Sequence, residues 1–225
     1  MIKYLTLKLL NYFDLYHQLK LFNFLKKKNY IGFDVFFDIG AHFGESINLF
    51  SKHFNIKKIY SFEASPINFK TLLKKKDSMQ SKFMNLEINL ENYAVGHEKK
   101  KLMMKQLIES SSSTIKDINQ NSKYFKKKIF FLNFTGKKKL IENIEINQIK
   151  LSDYIVEKKI SKIDFLKIDT EGYEYNVLLG LDKYLQKTSL IMFEHHYDDM
   201  IIKDYSFGDI NELLKKNNFK QIYKY

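Results

Sequence analysis

Several short, mainly apolar strand-like runs in this chain stop at a carboxylate, and that recurrence limits the fold more than any other feature. Val35 to Phe37 leads into Asp38, Ile59 to Phe62 into Glu63, Ile163 to Ile168 into Asp169, and Leu190 to Phe193 into Glu194. Short apolar runs of this kind fit strands buried on both faces. The stretches between them read as helices: Glu45 to Phe54, a helix opening near Pro66 and running to about Lys75, Tyr173 to Leu181, and Asp209 to Asn217. Strand and helix in alternation imply an α/β fold, a mostly parallel sheet with right-handed crossovers and helices on both faces. Ligands of such sheets sit outside the carboxyl ends of the strands, where these acids gather.

Three stretches depart from the alternation. Residues 1 to about 30 read as one or two amphipathic helices, with Leu5, Leu9, Phe13, Tyr16, Leu19 and Phe22 at spacings of three and four. They fit a helical cap on the domain or a membrane-surface or partner helix. Leu86 to Val95 reads as the third strand. The middle, from about 97 to 150, reads as a β insertion before the fourth core strand. It has a polar loop at Ser110 to Ser113, strands at Ile129 to Phe134 and Ile144 to Leu151, and a turn at Gly136. Phe219 to Tyr223 is expected as a last strand. The expected division is an N-terminal helical extension, 1–32, and one α/β domain, 33–225.

Composition narrows the function. With 225 residues, 44% of them hydrophobic, the chain can bury one sizeable core. The absence of cysteine excludes disulfides and thiolate metal sites and fits a reducing compartment, so a cytoplasmic location is expected. No uncharged run approaches the roughly 18 residues of a spanning helix, and no signal peptide is evident. The net charge of +12 comes from lysine alone, with no arginine, in runs scattered along the whole length. Arginine is the residue that reads phosphate and guanine bidentately. Solvated faces are therefore the simpler reading, and a nucleic-acid partner is disfavoured.

The strand ends carry the chemistry. Asp38-Ile39-Gly40-Ala41-His42-Phe43-Gly44 is a glycine-containing turn that lets a ligand approach the backbone and leads into a helix N-terminus. His42 and Glu45 stand where a dinucleotide turn has its second and third glycines, which argues against NAD. Glu63, 19 residues after Gly44, is placed to accept ribose hydroxyls. In Asn92-Tyr93-Ala94-Val95-Gly96, a polar residue can meet a base edge and Ala94 leaves it room. Lys167 and Asp169 lie on one face of their strand. Asp169 and Glu171 crowd its end, as a site for proton transfer or as a structural ion-pair knot. Glu194-His195-His196 should lie alongside, a histidine being a natural base near neutral pH. Asp169, Glu194 and a histidine could also hold a divalent ion.

The segments DIGAHFGE at 38–45, FEASPINFKTL at 62–72, NYAVG at 92–96, SSSSTI at 110–115, FLKIDTEGYEYNVLLG at 165–180 and FEHH at 193–196 occur in the order of the FkbM methyltransferases, which the chain resembles over roughly residues 33 to 223. The resemblance implies a Rossmann-like class I fold with S-adenosylmethionine as donor. It implies O-methylation of a small-molecule or glycan acceptor. It assigns Asp38, Gly40 and Gly44 to the amino-acid side of the donor, Glu63 to the ribose, and Asn92, Tyr93 and Ala94 to the adenine, and counts Ala41, His42 and Ala64 among the donor-binding residues. It turns Asp169, Glu171, Glu194 and His195 toward the methyl and the acceptor, with Asp169 or His195 as the base. The chain departs from the family at His42, usually Asn, and at its C-terminus. It stops at Tyr225 where another antiparallel strand is normal, so a sheet one strand short or a truncated sequence is expected. An RNA methyltransferase and a cofactor-binding module without catalysis are the alternative readings.

Overall fold

The computed structural model describes residues 16–107, 112–133, 141–195, 197 and 199–224. Residues 16–27 form helix α1. Then come β1 (Gly32–Ile39), α2 (Glu45–His53), β2 (Asn55–Phe62), α3 (Pro66–Lys82) and β3 (Glu87–Glu91). After an insertion, β8 (Ile163–Ile168), α6 (Glu174–Gly180), a 3-10 turn, β9 (Thr188–Phe193) and α7 (Phe207–Lys216) complete the core. The strands make one sheet in the order β3-β2-β1-β8-β9, every neighbouring pair parallel. This is the α/β architecture expected from the alternation.

β1 shows why the runs become strands. Successive side chains point to opposite faces, and both faces of a central parallel strand are covered. Phe36 stacks with Phe165 on one face, ring centroids 4.8 Å apart. Phe37 stacks with Tyr60 on the other, at 5.1 Å. Each face has its own apolar cluster. One gathers Phe22, Ile47 and Leu72 from α1, α2 and α3. The other gathers Val177 and Ile210 from α6 and α7, and Ile155 from α5 (Leu151–Glu157). The chain runs outward from β1 through β2 to β3, then restarts on the other side of β1 with β8. That reversal opens a crevice at the carboxyl ends of β1 and β8.

The insertion holds β4 (Ala94–Gly96), β5 (Lys100–Leu107), β6 (Asp117–Ile118), α4 (Lys123–Asn133), β7 (Ile141–Lys150) and α5. β4, β7 and β5 form a separate three-stranded sheet. β6 pairs antiparallel with β10 (Ile201–Ile202).

Several expected elements change here. The strand read at Leu86 to Val95 is two strands in two sheets, broken at Asn92 and Tyr93. The strand read at Ile129 to Phe134 is helix α4 as far as Asn133; Phe134 and Gly136 lie outside the described residues. Ser122 Oγ accepts the Phe125 amide at 3.0 Å and so caps this helix. Phe125 and Ile129, four apart, then pack against Met200 and Ile201. A short apolar run does not by itself distinguish the two states. Leu151 opens α5 rather than ending β7. α3 runs on to Lys82 because its buried stripe continues from Leu72 to Met79. Residues 219–224 form no strand: Asn218 turns through a left-handed φ of 66°, and the Tyr223 ring packs tilted against Phe24 of α1, centroids 4.8 Å apart. The sheet thus ends at β9 among the described residues. No helix among them is long and apolar enough to cross a membrane.

Candidate functional site

A cleft of about 570 Å³ opens at the carboxyl ends of β1, β2 and β8. Its floor is a set of strand-end loops tied to one another. The amides of Gly40 and Ala41 both donate to the Phe62 carbonyl, each at 2.9 Å. The Asp169 amide donates to the Ile39 carbonyl at 2.9 Å, and the Glu194 amide to the Ile168 carbonyl at 3.1 Å. These bonds carry the parallel ladder past the strand ends. Gly40, with φ of 87°, passes so close to the next loop that a Cβ there would lie 1.8 Å from the Asp169 carbonyl oxygen. The glycine therefore serves a crossing of two loops as well as the cleft it lines.

Glu63 ends β2 in a fixed orientation and is 5% exposed. One carboxylate oxygen accepts the His42 amide at 2.8 Å, and the other the Ser65 amide at 2.9 Å and Asn68 Nδ2 at 3.4 Å. Burial pushes its pKa above the usual carboxylate range, against the pull of those donors. His42 holds a left-handed φ of 48°, and its ring nitrogen lies 3.5 Å from Glu45. Burial raises the Glu45 pKa, but the His42 hydrogen bond and backbone amides outweigh it and the net shift is downward.

Register explains the ion-pair group. Asp38 on β1 lies opposite Lys167 on β8. Lys167 Nζ is 3.3 Å from Asp38 Oδ1 and 3.3 Å from Asp169 Oδ2. Asp38 is fully buried beneath the cleft, and desolvation lifts its pKa to about 6 despite the lysine. Asp169 reaches the cleft. Glu171, with φ of 52°, and Glu194 line it as well. Thr114 Oγ1 donates to the Glu171 carbonyl at 2.6 Å, tying the segment that follows Ser113 to this loop.

Of the residues singled out from sequence, Gly40, Ala41, His42, Glu63, Ala64, Tyr93, Ala94, Asp169, Glu171 and Glu194 line the cleft. Asp38, Gly44, Asn92 and His195 do not. Gly44, φ 86°, lies where a Cβ would meet Leu72 at 2.9 Å, between α2 and α3. Asn92 Nδ2 donates to the carbonyls of Glu63 and Ala64 at 2.8 and 3.3 Å and shapes that loop from behind. His195 packs among Tyr197, Tyr205 and Phe207. His196 lies outside the described residues. Among those residues, no three histidine or acidic groups come together as a metal cage.

Sequence reasoning passed over other parts of the site. Asn68 lines the cleft one turn into α3, where its place in the quoted FEASPINF segment was the available signal. His17 and Gln18 of α1 also line it, and nothing in their pattern marked them. Glu174, 1% exposed, organises the loop before α6. Its Oε1 accepts the amides of Thr170 and Gly172 at 3.2 and 3.0 Å, and its Oε2 accepts the Tyr205 hydroxyl. An acid three residues after Glu171, at a helix start, was the cue.

The sequence model of the FkbM methyltransferase domain matches residues 38–220. The chain belongs to the FkbM methyltransferase family. Its family segments are the loops just described: the Asp38 to Glu45 turn, the Glu63 hairpin of bonds, and the Lys167 to Glu174 knot. A similar solved structure is the methyltransferase FkbM from Methylobacillus flagellatus KT, with 16% identity and a TM-score of 0.49 over 81% of this chain and 37% of that one. This chain thus spans little more than a third of that protein's length. Among curated proteins no match was found.

Proposed function

We propose that this FkbM-family chain is an S-adenosylmethionine-dependent methyltransferase acting on a hydroxyl of a glycan or other small molecule. One observation carries the reading. On a chain of net charge +12, the described residues that line the cleft include five carboxylates, Glu45, Glu63, Asp169, Glu171 and Glu194, and one lysine, Lys167. A site so opposed in sign to the whole molecule suits a cationic ligand, and that donor carries a sulfonium and an ammonium. The cleft volume of about 570 Å³ lies in the range of cofactor sites. The same acids oppose the phosphates of RNA, which disfavours the nucleic-acid reading.

In this reading Glu63 accepts the ribose hydroxyls through lone pairs its amide donors leave open. Ala64, Tyr93 and Ala94 flank the adenine, and the Gly40 to His42 turn meets the amino-acid side. When bound, the donor supplies a methyl carbon made electrophilic by sulfur. The chain's task is to hold the acceptor oxygen in line with that carbon, which can lower the barrier by several kcal/mol. Asp169 is the preferred base over His195: it lines the cleft, whereas His195 packs among Tyr197, Tyr205 and Phe207. Glu171 and Glu194 orient the acceptor. We place the enzyme in the cytoplasm. Calorimetry with S-adenosylmethionine, followed by mass-spectrometric detection of methylated products on a panel of sugars and hydroxylated metabolites, tests it. Micromolar binding and a gain of one methyl are expected. No binding at millimolar donor removes the reading, and binding without turnover on any acceptor favours a non-catalytic module.

A further inference from the structure

Lysine is spread over this chain, but helix α4 carries it differently. Between Asp117 and Glu142 the sequence has seven lysines and no acidic residue, and four of those lysines fall on α4. Elsewhere lysines meet carboxylates: Lys58 lies 2.9 Å from Glu87, Lys101 2.8 Å from Glu145 and Lys150 2.6 Å from Asp182. Among the described residues Lys123, Lys126 and Lys127 are in no ion pair. Packing fixes which way the helix faces. Phe125 and Ile129, four apart, turn inward onto Met200 and Ile201. With about 3.6 residues per turn, Lys123, Tyr124, Lys127 and Phe130 then share the outer side. The two lysines are exposed there, and so are the rings, Tyr124 by 50% and Phe130 by 62%.

Lysine stems and aromatic rings side by side suit the boundary of a bilayer, where rings enter the interface and ammonium groups stay level with the phosphates. We propose that the outer face of α4 docks this protein onto an anionic lipid bilayer, Lys123 and Lys127 meeting headgroup phosphates and Tyr124 and Phe130 entering the interfacial layer. An RNA strand is the weaker partner for this face. The chain has no arginine to fork onto its phosphates, and carboxylates line the neighbouring cleft. α4 is joined to that cleft: Lys128 Nζ donates to Ser112 Oγ, and Ser113 and Ile115, which follow, line it. Docking through α4 thus holds the cleft rim beside the lipid surface. The inference goes beyond the donor reading and does not depend on it.

The test is flotation of the full chain with vesicles of phosphatidylcholine alone and of an equal mixture with phosphatidylglycerol, at physiological salt. Wild type should bind the mixed vesicles and not the neutral ones. Lys123→Glu/Lys127→Glu should weaken that binding about tenfold or more, and Tyr124→Ser/Phe130→Ser about threefold or more. All four side chains are exposed, so melting temperature and donor binding should match wild type. Lys123→Gln/Lys127→Gln, acting in the same direction, serves if the glutamates unsettle the fold. Lys70→Glu/Lys74→Glu makes the same charge change at exposed positions of α3 and should alter binding less than threefold. Equal loss in both glutamate variants, no loss in the aromatic variant, or a wild type that ignores the mixed vesicles overturns the docking face. So does a wild type that leaves the vesicles for a single-stranded RNA in direct competition. Each of those outcomes leaves the donor reading untouched.

Discussion

Asp38 and Lys167 face each other across β1 and β8, and only one of the two aspartates flanking that lysine reaches the cleft. Their substitutions should therefore separate. Asp169→Asn should cut turnover about 10²-fold or more while the circular dichroism spectrum and melting temperature persist. Unchanged turnover would take Asp169 out of the chemistry. Asp38→Asn should act on stability. The folded pKa of Asp38, about 6, lies above its ordinary value of 3.8, so the native state binds the extra proton. The stability this provides is fully present below pH 3.8 and is lost as pH rises toward 6, by up to about 1.4 kcal/mol per pH unit. Other groups add slopes of their own, so the difference between wild type and Asp38→Asn isolates this one. Denaturant melts from pH 4 to 7 should show the variant gaining relative to wild type across that window. A flat difference would mean the carboxyl is ionised throughout. These two roles were only half legible in the sequence: spacing put Lys167 and Asp169 on one face, but the partnership with Asp38 depends on which strand lies next to which.

At the scale of elements, the loop before α6 depends on Glu174. Its carboxylate gathers two amides and the Tyr205 hydroxyl with 1% of its surface exposed. Glu174→Ala leaves those donors buried without a partner and should cost about 3 kcal/mol or more, read from urea melts. A loss under 1 kcal/mol would mean the loop is held by other contacts. The elements themselves divide by burial. The central strands were legible because both faces of β1 and β8 are covered and apolar residues dominate them, as in Val35 to Phe37 and Phe165 to Leu166. α4 was not, since Ile129 to Leu132 is apolar for four residues and its helical register shows only through Phe125, Ile129 and the cap at Ser122. Phe219 to Tyr223 has strand-like composition, yet Phe219 and Tyr223 pack into opposite apolar clusters with no partner strand between them. The same limit applies to the site. Asn92 and His195 sit next in sequence to cleft residues, but hydrogen bonds and ring packing turn them elsewhere.

For the molecule as a whole, α1 joins the body of the fold through one apolar cluster that also holds α2, α3 and one face of the sheet. Phe22 touches the rings of Phe50, His53 and Phe54. Phe22→Ala should cost about 3–5 kcal/mol in a single cooperative unfolding transition. A separate early transition with little change in the main one would show that α1 is an independent appendage.

The crossing of Gly40 over the Asp169 carbonyl, braced by backbone bonds to Ile39 and Phe62, has a bearing on traffic. Loops locked at such contact cannot part without breaking the ladder beneath them, so the two halves of the floor stay together while ligands come and go. Admission then falls to the rim, to the Ser112 to Ile115 segment and to His17 and Gln18 of α1. Changes there should alter how fast small molecules enter and leave, and changes in the floor how tightly they are held.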